Sequence, residues 1–275
     1  MTDEEWVPTG VDPTVPSVAR VYDWMLGGKD NFAVDRMVAQ KALEITPDGP
    51  EAGRAGRAFL RRVVRHLVAD QGITQFIDVG SGLPTQGNVH QIAKESNPQA
   101  KVVYVDNDPI VLAHGRALLA DGGSATVIQA DLREPNAILE HPEVRRFIDF
   151  DRPVGLLLFA ILHHLSDEED PAGIARMMID ALPSGSWVAI SHFRDPGEAH
   201  PDASRKAREV EKLFNQTLGT GRWRTDDEIL TYLDGLELAE PGLVPVADWR
   251  PDPDEPPSEQ TDTYHTFAGA LARKP

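Results

Sequence analysis

The chain has 275 residues, 41% of them hydrophobic, which is enough for one large domain or one domain with appendages. Its formal net charge of −17 argues against nucleic-acid and membrane-surface partners, because phosphate groups attract basic faces. The absence of cysteine excludes disulfides, thiolate metal sites and cysteine nucleophiles, and the acidic N-terminus lacks the apolar core of a signal peptide. We therefore expect a cytoplasmic protein, monomeric or homodimeric, that binds neither nucleic acid nor a membrane.

The first 72 residues predict an extended arm followed by helices. Residues 1–16 are rich in proline, glycine and acids. Apolar residues then recur at helical spacing, and Gly27-Gly28 is expected to end the first helix. A later helix, about Ala52–Ala69, has a continuous apolar face. We expect the charged side chains of its other face to be solvated, namely Arg61, Arg62, Arg65 and His66.

Alternating strands and helices begin at Gln75–Thr85, QFIDVGSGLPT. Its apolar residues predict a buried strand, and Gly80-Ser81-Gly82 then breaks that strand sharply. A strand followed by a glycine-rich turn and a helix typically opens a nucleotide-binding α/β unit, although a plain corner has the same pattern. Further strands are predicted at Lys101–Asp106, Ala125–Ala130, Val154–Ala160 and Trp187–Phe193, with two closing strands near Leu236–Val246 and Tyr264–Ala272.

Strands joined by crossover helices imply a parallel sheet with helices on both faces. The two closing strands are close enough along the chain to form a hairpin, which would place one antiparallel strand at or inside the sheet edge. The predicted fold is therefore α/β: a Rossmann-like, seven-stranded, mostly parallel sheet with one antiparallel strand, helices on both faces and an N-terminal helical cap.

Carboxylates stand at the ends of the first three predicted strands, at Asp78, Asp106 and Asp131. Open sheets bind ligands at the carboxyl ends of their strands, where an acidic residue in the position of Asp106 can accept hydrogen bonds from both ribose hydroxyls. The alternative is that all three only solubilise strand ends. Their occurrence together after a glycine turn favours a nucleoside site.

The glycine turn also limits the kind of nucleoside. A dinucleotide fingerprint would have a third glycine at position 85, where this chain has threonine, and Pro84 removes one N–H from the phosphate cradle. A nicotinamide-dependent dehydrogenase is disfavoured for this reason. No GxxxxGK[ST] loop occurs, which excludes a P-loop nucleotidase.

Three segments resemble the first three motifs of class I S-adenosylmethionine-dependent methyltransferases: DVGSG, YVDNDP and QADLREP. More narrowly, Pro16–Arg36 (PSVARVYDWMLGGKDNFAVDR), IDVGSGLPTQGNVHQIA and LLLFAILHHLSD resemble the S-adenosyl methyltransferase-like family that is expanded in actinobacteria. Most members of that family have no assigned substrate. The resemblance implies methyl transfer from S-adenosyl-L-methionine to a small-molecule acceptor. The alternative is an S-adenosylmethionine-binding protein that is regulatory or catalytically silent.

The resemblance also implies roles in cofactor binding. Asp78 would help to hold the amino group of the cofactor's methionine portion, and Asp106 would bind the ribose hydroxyls. Asn107 would flank the adenine, while Asp131 and Leu132 would meet its edge. The residues implied in cofactor binding are Tyr22, Asp78, Gly80, Ser81, Gly82, Asp106, Asn107, Asp131, Leu132 and Ala160.

Two adjacent histidines, His163 and His164, follow the fourth strand, where this fold places the transferring methyl group. One interpretation is a general base, since an imidazole titrates near neutral pH. A second is that one of them packs against the sheet or caps a helix. A metal site is disfavoured, because adjacent side chains point apart and no third ligand is near. We take both as candidate catalytic residues and predict no metal.

The segment Pro16–Arg36 has two interpretations, a helical hairpin covering the sheet edge or a lid. In the second, Tyr22 and the Gly27-Gly28 turn would close over the cofactor and exclude water. With the resemblance, we expect residues 1–72 to form an arm and helical cap or lid. Residues 73–275 would form a methyltransferase-like Rossmann domain in which 194–224 is an acceptor-pocket insertion. The run His192–Asp195 is expected to line the same crevice.

Overall fold

The structure is a computed structural model that describes residue 7 and residues 10–84, 87–119, 123–254 and 256–275. Residues 1–6, 8 and 9 of the predicted N-terminal arm, and Thr85, lie outside the described residues. Within them, one eight-stranded sheet carries helices on both faces. The strands are β1 (Gln75–Val79), β2 (Lys101–Asp106), β3 (Ala125–Gln129), β4 (Gly155–Phe159), β5 (Trp187–Phe193), β6 (Glu237–Leu238), β7 (Val244–Pro245) and β8 (Phe267–Arg273).

The sheet has the order β3-β2-β1-β4-β5-β8-β6, and β7 also pairs with β8. The first five strands are parallel, and β8 runs antiparallel to β5. This confirms the predicted α/β sheet with an antiparallel strand inside its edge. The chain order reverses between β1 and β4, and ligands of open sheets bind at such a switch point.

The closing hairpin differs from the prediction in one detail. A continuous strand was predicted at Leu236–Val246, whereas the structure contains the two short strands β6 and β7. Pro241 and Gly242 interrupt the segment. The backbone N–H of Gly242 donates to the carbonyl of Ala239 at 2.8 Å and closes a turn. Because proline has no N–H for a ladder and glycine adopts a turn readily, the segment divides here and the sheet has eight strands rather than seven.

The helices flank the sheet and cover its carboxyl end. Their bounds are α1 (Val18–Met25), α2 (Ala33–Ile45), α3 (Gly49–Ala69), α4 (Val89–Ser96), α5 (Pro109–Leu119), α6 (Pro135–Leu139), α7 (Pro142–Phe147), α8 (Pro171–Asp180), α9 (Pro201–Thr217), α10 (Asp226–Leu230) and α11 (Asp262–His265). No helix within the described residues is long and apolar enough to cross a membrane.

The N-terminal helices pack on α9 rather than only on the sheet. Val21 of α1, Val38 of α2 and Val210 of α9 belong to one buried cluster. Burial of this apolar surface joins the N-terminal segment to the segment after β5. Together they form a layer over the carboxyl ends of the strands.

One predicted surface residue is instead buried. Arg62 of α3 is only 5% exposed, and its guanidinium donates to the backbone carbonyls of Trp249 and Val246, each at 2.8 Å. The expectation of a solvated charged face is therefore wrong for Arg62, although Arg61 remains exposed. The helical period predicted correctly that Arg62 lies on α3. It could not predict burial, because the segment 246–249 that covers Arg62 is distant in sequence.

Candidate active site

The carboxyl ends of β1, β2, β4 and β5 open into one cavity of about 690 Å³. Its walls also include residues of the N-terminal arm, α1, α3, α9 and the segment 262–267. All the predicted cofactor-binding residues, and both candidate catalytic histidines, line this cavity. The three carboxylates that the sequence placed at successive strand ends therefore do converge.

The glycine turn after β1 provides open backbone at the cavity wall. Gly82 has φ +66°, and no atom lies within 4 Å of the place where a Cβ would be, so this position leaves room for a ligand against the main chain. Gly80 is different, because a Cβ there would lie 2.7 Å from the side chain of Ile161. Its lack of a side chain is required by packing against the chain that leaves β4.

Asp106, at the end of β2, is held by backbone donors. Its carboxylate accepts from the N–H of Gly82 at 2.8 Å and from the N–H of Asp108 at 3.0 Å. Burial raises the pKa of Asp106 to about 6, against the opposing effect of these hydrogen bonds. The two N–H groups fix the carboxylate at the cavity wall and connect it directly to the glycine turn.

Asp78, the fourth residue of β1, is the second buried carboxyl at this wall. Burial raises its pKa to about 7, Arg57 of α3 opposes the shift, and the neighbouring charge of Asp106 adds to it. Two acids so close together favour a cationic partner. This part of the cavity is thus suited to an ammonium group.

The third carboxylate, Asp131, is ordered by its neighbours. Asn107 donates to it at 3.0 Å, and the backbone N–H of Arg133 donates at 2.9 Å. Burial alone would raise the pKa of Asp131, but these hydrogen bonds, together with the charge and side-chain hydrogen bond of Arg133, outweigh burial and lower it. Leu132 is buried beside it, so a polar edge and an apolar surface lie together at the end of β3.

The chain leaves β4 through a residue in an uncommon conformation. Ala160 has φ +51°, which costs energy for a residue other than glycine. Its N–H donates to the carbonyl oxygen of Ser191 and lies 3.0 Å from both that atom and Ser191 Oγ. The adjoining strand β5 thereby holds Ala160 at the cavity wall.

The two histidines after β4 are buried and electrically neutral at physiological pH. Nδ1 of His163 accepts from the backbone N–H of Phe193 at 3.1 Å. Burial lowers the pKa of His163 well below its usual value and lowers that of His164 to about 4. His163 Nε2 and His164 Nδ1 are enclosed by protein and have no hydrogen-bond partner among the described residues.

The N-terminal segment is tied to the cofactor side of the cavity. The hydroxyl of Ser17 donates to Asp108, and Arg20 pairs with Asp35 at 2.9 Å while lying 4.0 Å from Asp108. Tyr22 donates to the carbonyl of Gly53 at 3.3 Å. These polar contacts hold α1 across the cavity between the ends of β2 and α3.

The remaining part of the cavity, called the acceptor compartment here, is lined by β5, α9, residues 218–223 and residues 262–267. Its wall includes the rings of Phe193, Phe214, Trp223 and Phe267. From the run His192–Asp195, only Phe193 lines the cavity, so that expectation is wrong for its other residues. Alternation along the strand turns His192 to the opposite face, and Arg194 is paired with Asp226 at 2.6 Å.

A buried polar cluster behind the histidines was not predicted. Arg224 is 5% exposed and donates to the carbonyl of Leu165 at 2.9 Å, to Asp167 at 2.7 Å and to Nε2 of His192 at 3.3 Å. It ties the segment after α9 to the chain that leaves β4. An arginine within a polar loop carries no local signal for this role.

Among the described residues, no group of three or more histidine or acidic side chains could hold a metal ion. A mostly parallel α/β sheet with an antiparallel strand, three carboxylates and a glycine turn at one cavity is the arrangement that the resemblance to class I S-adenosylmethionine-dependent methyltransferases predicts. A family model described as S-adenosyl methyltransferase matches residues 4–275. The chain belongs to this family, and S-adenosyl-L-methionine is its cofactor.

Solved structures agree with this assignment. A candidate methyltransferase from Thermobifida fusca YX is 42% identical, with a TM-score of 0.90 and 98% of each chain covered. A DUF574-family protein from Streptomyces avermitilis MA-4680 is 38% identical, with a TM-score of 0.88, covering 96% of this chain and 99% of that one. An O-methyltransferase family protein from Burkholderia thailandensis, at 12% identity and a TM-score of 0.52, shares the fold; 92% of this chain and 63% of that one are covered. A search of the curated proteins gave no match.

The polar groups that line the cavity fit this cofactor. The open backbone at Gly82 leaves space for a ligand, and the carboxylates offer acceptors for hydroxyl, amino and ammonium hydrogens. Asp106 accepts the N–H of Gly82, so a carboxylate lies against the glycine turn, where it would repel a pyrophosphate.

Proposed function

We propose that this methyltransferase acts on a small-molecule acceptor bound in the acceptor compartment, beside the cofactor. The observation that carries the proposal is the single cavity of about 690 Å³, which joins the strand ends to a space covered by α1, α3 and α9. Its size lies in the range of small-ligand sites. A wall built from several elements encloses a small molecule more readily than a polymer chain.

On the cofactor side, Asp106 would accept hydrogen bonds from the ribose hydroxyls and Asp78 would pair with the ammonium of the methionine portion. The backbone of Gly80, Ser81 and Gly82 would lie under that portion. At the end of β3, Asp131 would accept from the amino group of adenine. Asn107 and Leu132 would contact the ring, and Ala160 and Tyr22 would complete the wall at the methionine end.

When bound, S-adenosyl-L-methionine supplies a methyl group to a lone pair of the acceptor, and the electrons of the broken carbon–sulfur bond remain on sulfur in S-adenosylhomocysteine. The protein's contribution is to align the acceptor with that methyl group and to exclude water. Of the two candidate histidines, His164 is the better placed to receive the acceptor's proton, because Nδ1 of His163 is already hydrogen-bonded. The pKa of His164, about 4, makes it a weak base, so acceptors that react through a free nitrogen lone pair and need little help from a base are favoured.

The N-terminal residues 1–72 would act as a cap and lid. Supporting this are the contacts of Ser17 and Arg20 with Asp108, which join α1 to the start of α5 at the nucleoside side. Release of these contacts would open the cavity for cofactor exchange. Residues 194–224 would form the acceptor-pocket insertion, since α9 and Trp223 provide much of that wall.

The test is transfer of a labelled methyl group into a fractionated actinobacterial cell extract. The extract is separated by ultrafiltration into small molecules and macromolecules, and each fraction is incubated with the protein and methyl-labelled cofactor. The Asp106→Asn variant serves as control, because it keeps the side-chain shape but loses the charge. We expect label in the small-molecule fraction only, and much less with the variant.

Label in protein or nucleic acid would contradict the small-molecule assignment. Cofactor binding in calorimetry without label transfer to either fraction would contradict the proposed transfer and favour a catalytically silent protein.

A further inference from the structure

Three aromatic rings form a column in the wall of the acceptor compartment. The imidazole of His163 stacks on the Phe193 ring with centroids 3.6 Å apart and planes inclined by 12°. Phe193 in turn stacks on Trp223 at 4.2 Å and 11°. Near-parallel rings with centroids this close lie almost face to face, so each ring covers most of its neighbour. The column begins at a buried histidine and ends at the half-buried Trp223, which lines the cavity.

Further rings surround this column. Phe267 lies 5.9 Å from Phe193 with planes inclined by 55°, and Phe214 lies 5.9 Å from Trp223 with planes inclined by 51°. Gly56 permits this arrangement on the α3 side, because a Cβ there would lie 2.7 Å from the Phe267 ring. The compartment therefore presents ring faces and ring edges beside the aliphatic side chains of Val210 and Leu218.

The charges of the compartment are already paired. Among the described residues of β5, α9, 218–223 and 262–267, the charged side chains that line the cavity are Lys206 and Asp262, which form an ion pair at 2.6 Å. The hydrogen bond from Lys206 to Asp262 raises the pKa of Lys206, so the ammonium group keeps its charge beside its partner. A charged acceptor would have to break this pair or be buried without a counter-ion, and both are costly.

From the column and the paired charges together, we propose that the acceptor is an uncharged, planar aromatic molecule whose ring lies against Trp223 as the next ring of the column. This inference rests on the proposed function, since it names the substrate class of the same compartment. Stacking on Trp223 would hold a flat ring in a defined plane beside the cofactor, which is the alignment that methyl transfer requires.

The test compares two ligands with the same carbon skeleton on the protein saturated with S-adenosylhomocysteine. Calorimetry measures the affinities of 2-naphthol and of its saturated counterpart, decahydro-2-naphthol. We expect 2-naphthol to bind about threefold to tenfold more tightly, which is the range that ring stacking contributes beyond buried area. The Trp223→Leu variant should lose this preference while its affinity for S-adenosylhomocysteine stays unchanged.

A matched control is Phe150→Leu, the same kind of change at a partly buried ring that does not line the cavity. It should leave the preference intact. Equal affinities, a preference for the saturated ligand, no binding of either, or a preference that survives Trp223→Leu would overturn the inference. Failure of the parent protein to bind S-adenosylhomocysteine would instead count against the proposed function, so the two failures are distinguishable.

Discussion

The backbone N–H of Phe193 donates a hydrogen bond to Nδ1 of His163 across 3.1 Å. In a neutral imidazole one nitrogen accepts and the other carries the hydrogen, so this contact places the hydrogen of His163 on Nε2. His163 therefore has no free lone pair with which to remove a proton. The contact instead links β5 to the chain that leaves β4 and sets the position of the Phe193 ring.

Substitutions at His163 should separate these roles. His163→Asn keeps an acceptor near the place of Nδ1, whereas His163→Leu leaves the N–H of Phe193 buried without a partner. We expect His163→Leu to lower the free energy of unfolding by about 1–3 kcal/mol more than His163→Asn. Chemical denaturation followed by circular dichroism measures the difference. Equal losses in the two variants would mean that the hydrogen bond contributes nothing.

Asp78 should make cofactor binding depend on pH. Burial raises its pKa to about 7, so the carboxyl is protonated in acid and cannot pair with an ammonium group. We expect the affinity for S-adenosylhomocysteine to fall as the pH drops from about 7 to 5, by up to about tenfold per pH unit. Calorimetry across this range should show a flatter and weaker profile for Asp78→Asn. A parent protein with a flat profile would contradict the assigned role of Asp78.

The same shift has a consequence for the stability of the unliganded protein. The folded state keeps its proton at Asp78 up to a pH of about 7, whereas the unfolded chain releases it near 3.8. The unfolded state therefore binds fewer protons between these values, and stability should decrease as the pH rises through this window. Asp78→Asn should remove part of that decrease, by an amount on the order of 3 kcal/mol. Thermal denaturation of parent and variant at several pH values measures it.

The tie between Ser17 and Asp108 should control cofactor release. Ser17→Ala removes the hydroxyl that donates to Asp108 but leaves α1 otherwise intact. We expect S-adenosylhomocysteine to dissociate about fivefold faster, because one hydrogen bond to a charged group has been removed from the cap. Stopped-flow displacement measures the rate. Thr14→Ala lies on the same arm, and its side chain bonds to Asp12 within the part of the arm that the structure describes, so this variant should release the ligand at the parent rate. Equal rates in all three proteins would contradict a role of the Ser17 contact in holding the cap.

Two neighbouring arginines of α3 provide a test of packing. Arg62 is buried against the carbonyls of Trp249 and Val246, whereas Arg61 is exposed and pairs with Glu95 at 3.1 Å. We expect Arg62→Met to destabilise the protein by about 2–4 kcal/mol, because buried acceptors lose charged donors. Arg61→Met should change the free energy of unfolding by less than about 0.5 kcal/mol. Similar losses at both positions would contradict this account of α3.

Local pattern was sufficient for most of the sheet and for the convergence of three carboxylates at one cavity. Apolar runs bounded by glycine and proline predicted β1 to β5. The positions of Asp78, Asp106 and Asp131 at strand ends predicted that they lie in one crevice. These features follow from periodicity and from the rule that parallel strands end at the same edge.

The contacts that the sequence did not reveal join segments that are far apart along the chain. Arg62 meets residues 246–249, and Arg224 reaches His192 and Leu165, so their burial depends on tertiary packing rather than on local pattern. The division of β6 from β7 has a local cause at Pro241-Gly242. The apolar residues on both sides of this pair nevertheless predicted one continuous strand. The ring column from His163 to Trp223 likewise arises only when β5 and the segment after α9 meet.

We propose that the carboxylates at the strand ends hold S-adenosyl-L-methionine with its methyl group directed toward the acceptor compartment. A crystal structure of the protein with S-adenosylhomocysteine would show this arrangement. We expect ribose hydroxyls within hydrogen-bond distance of Asp106, the amino group beside Asp78, and the sulfur atom facing the compartment bounded by Phe193 and Trp223. A ligand bound elsewhere, or bound here without contact to Asp106, would contradict it.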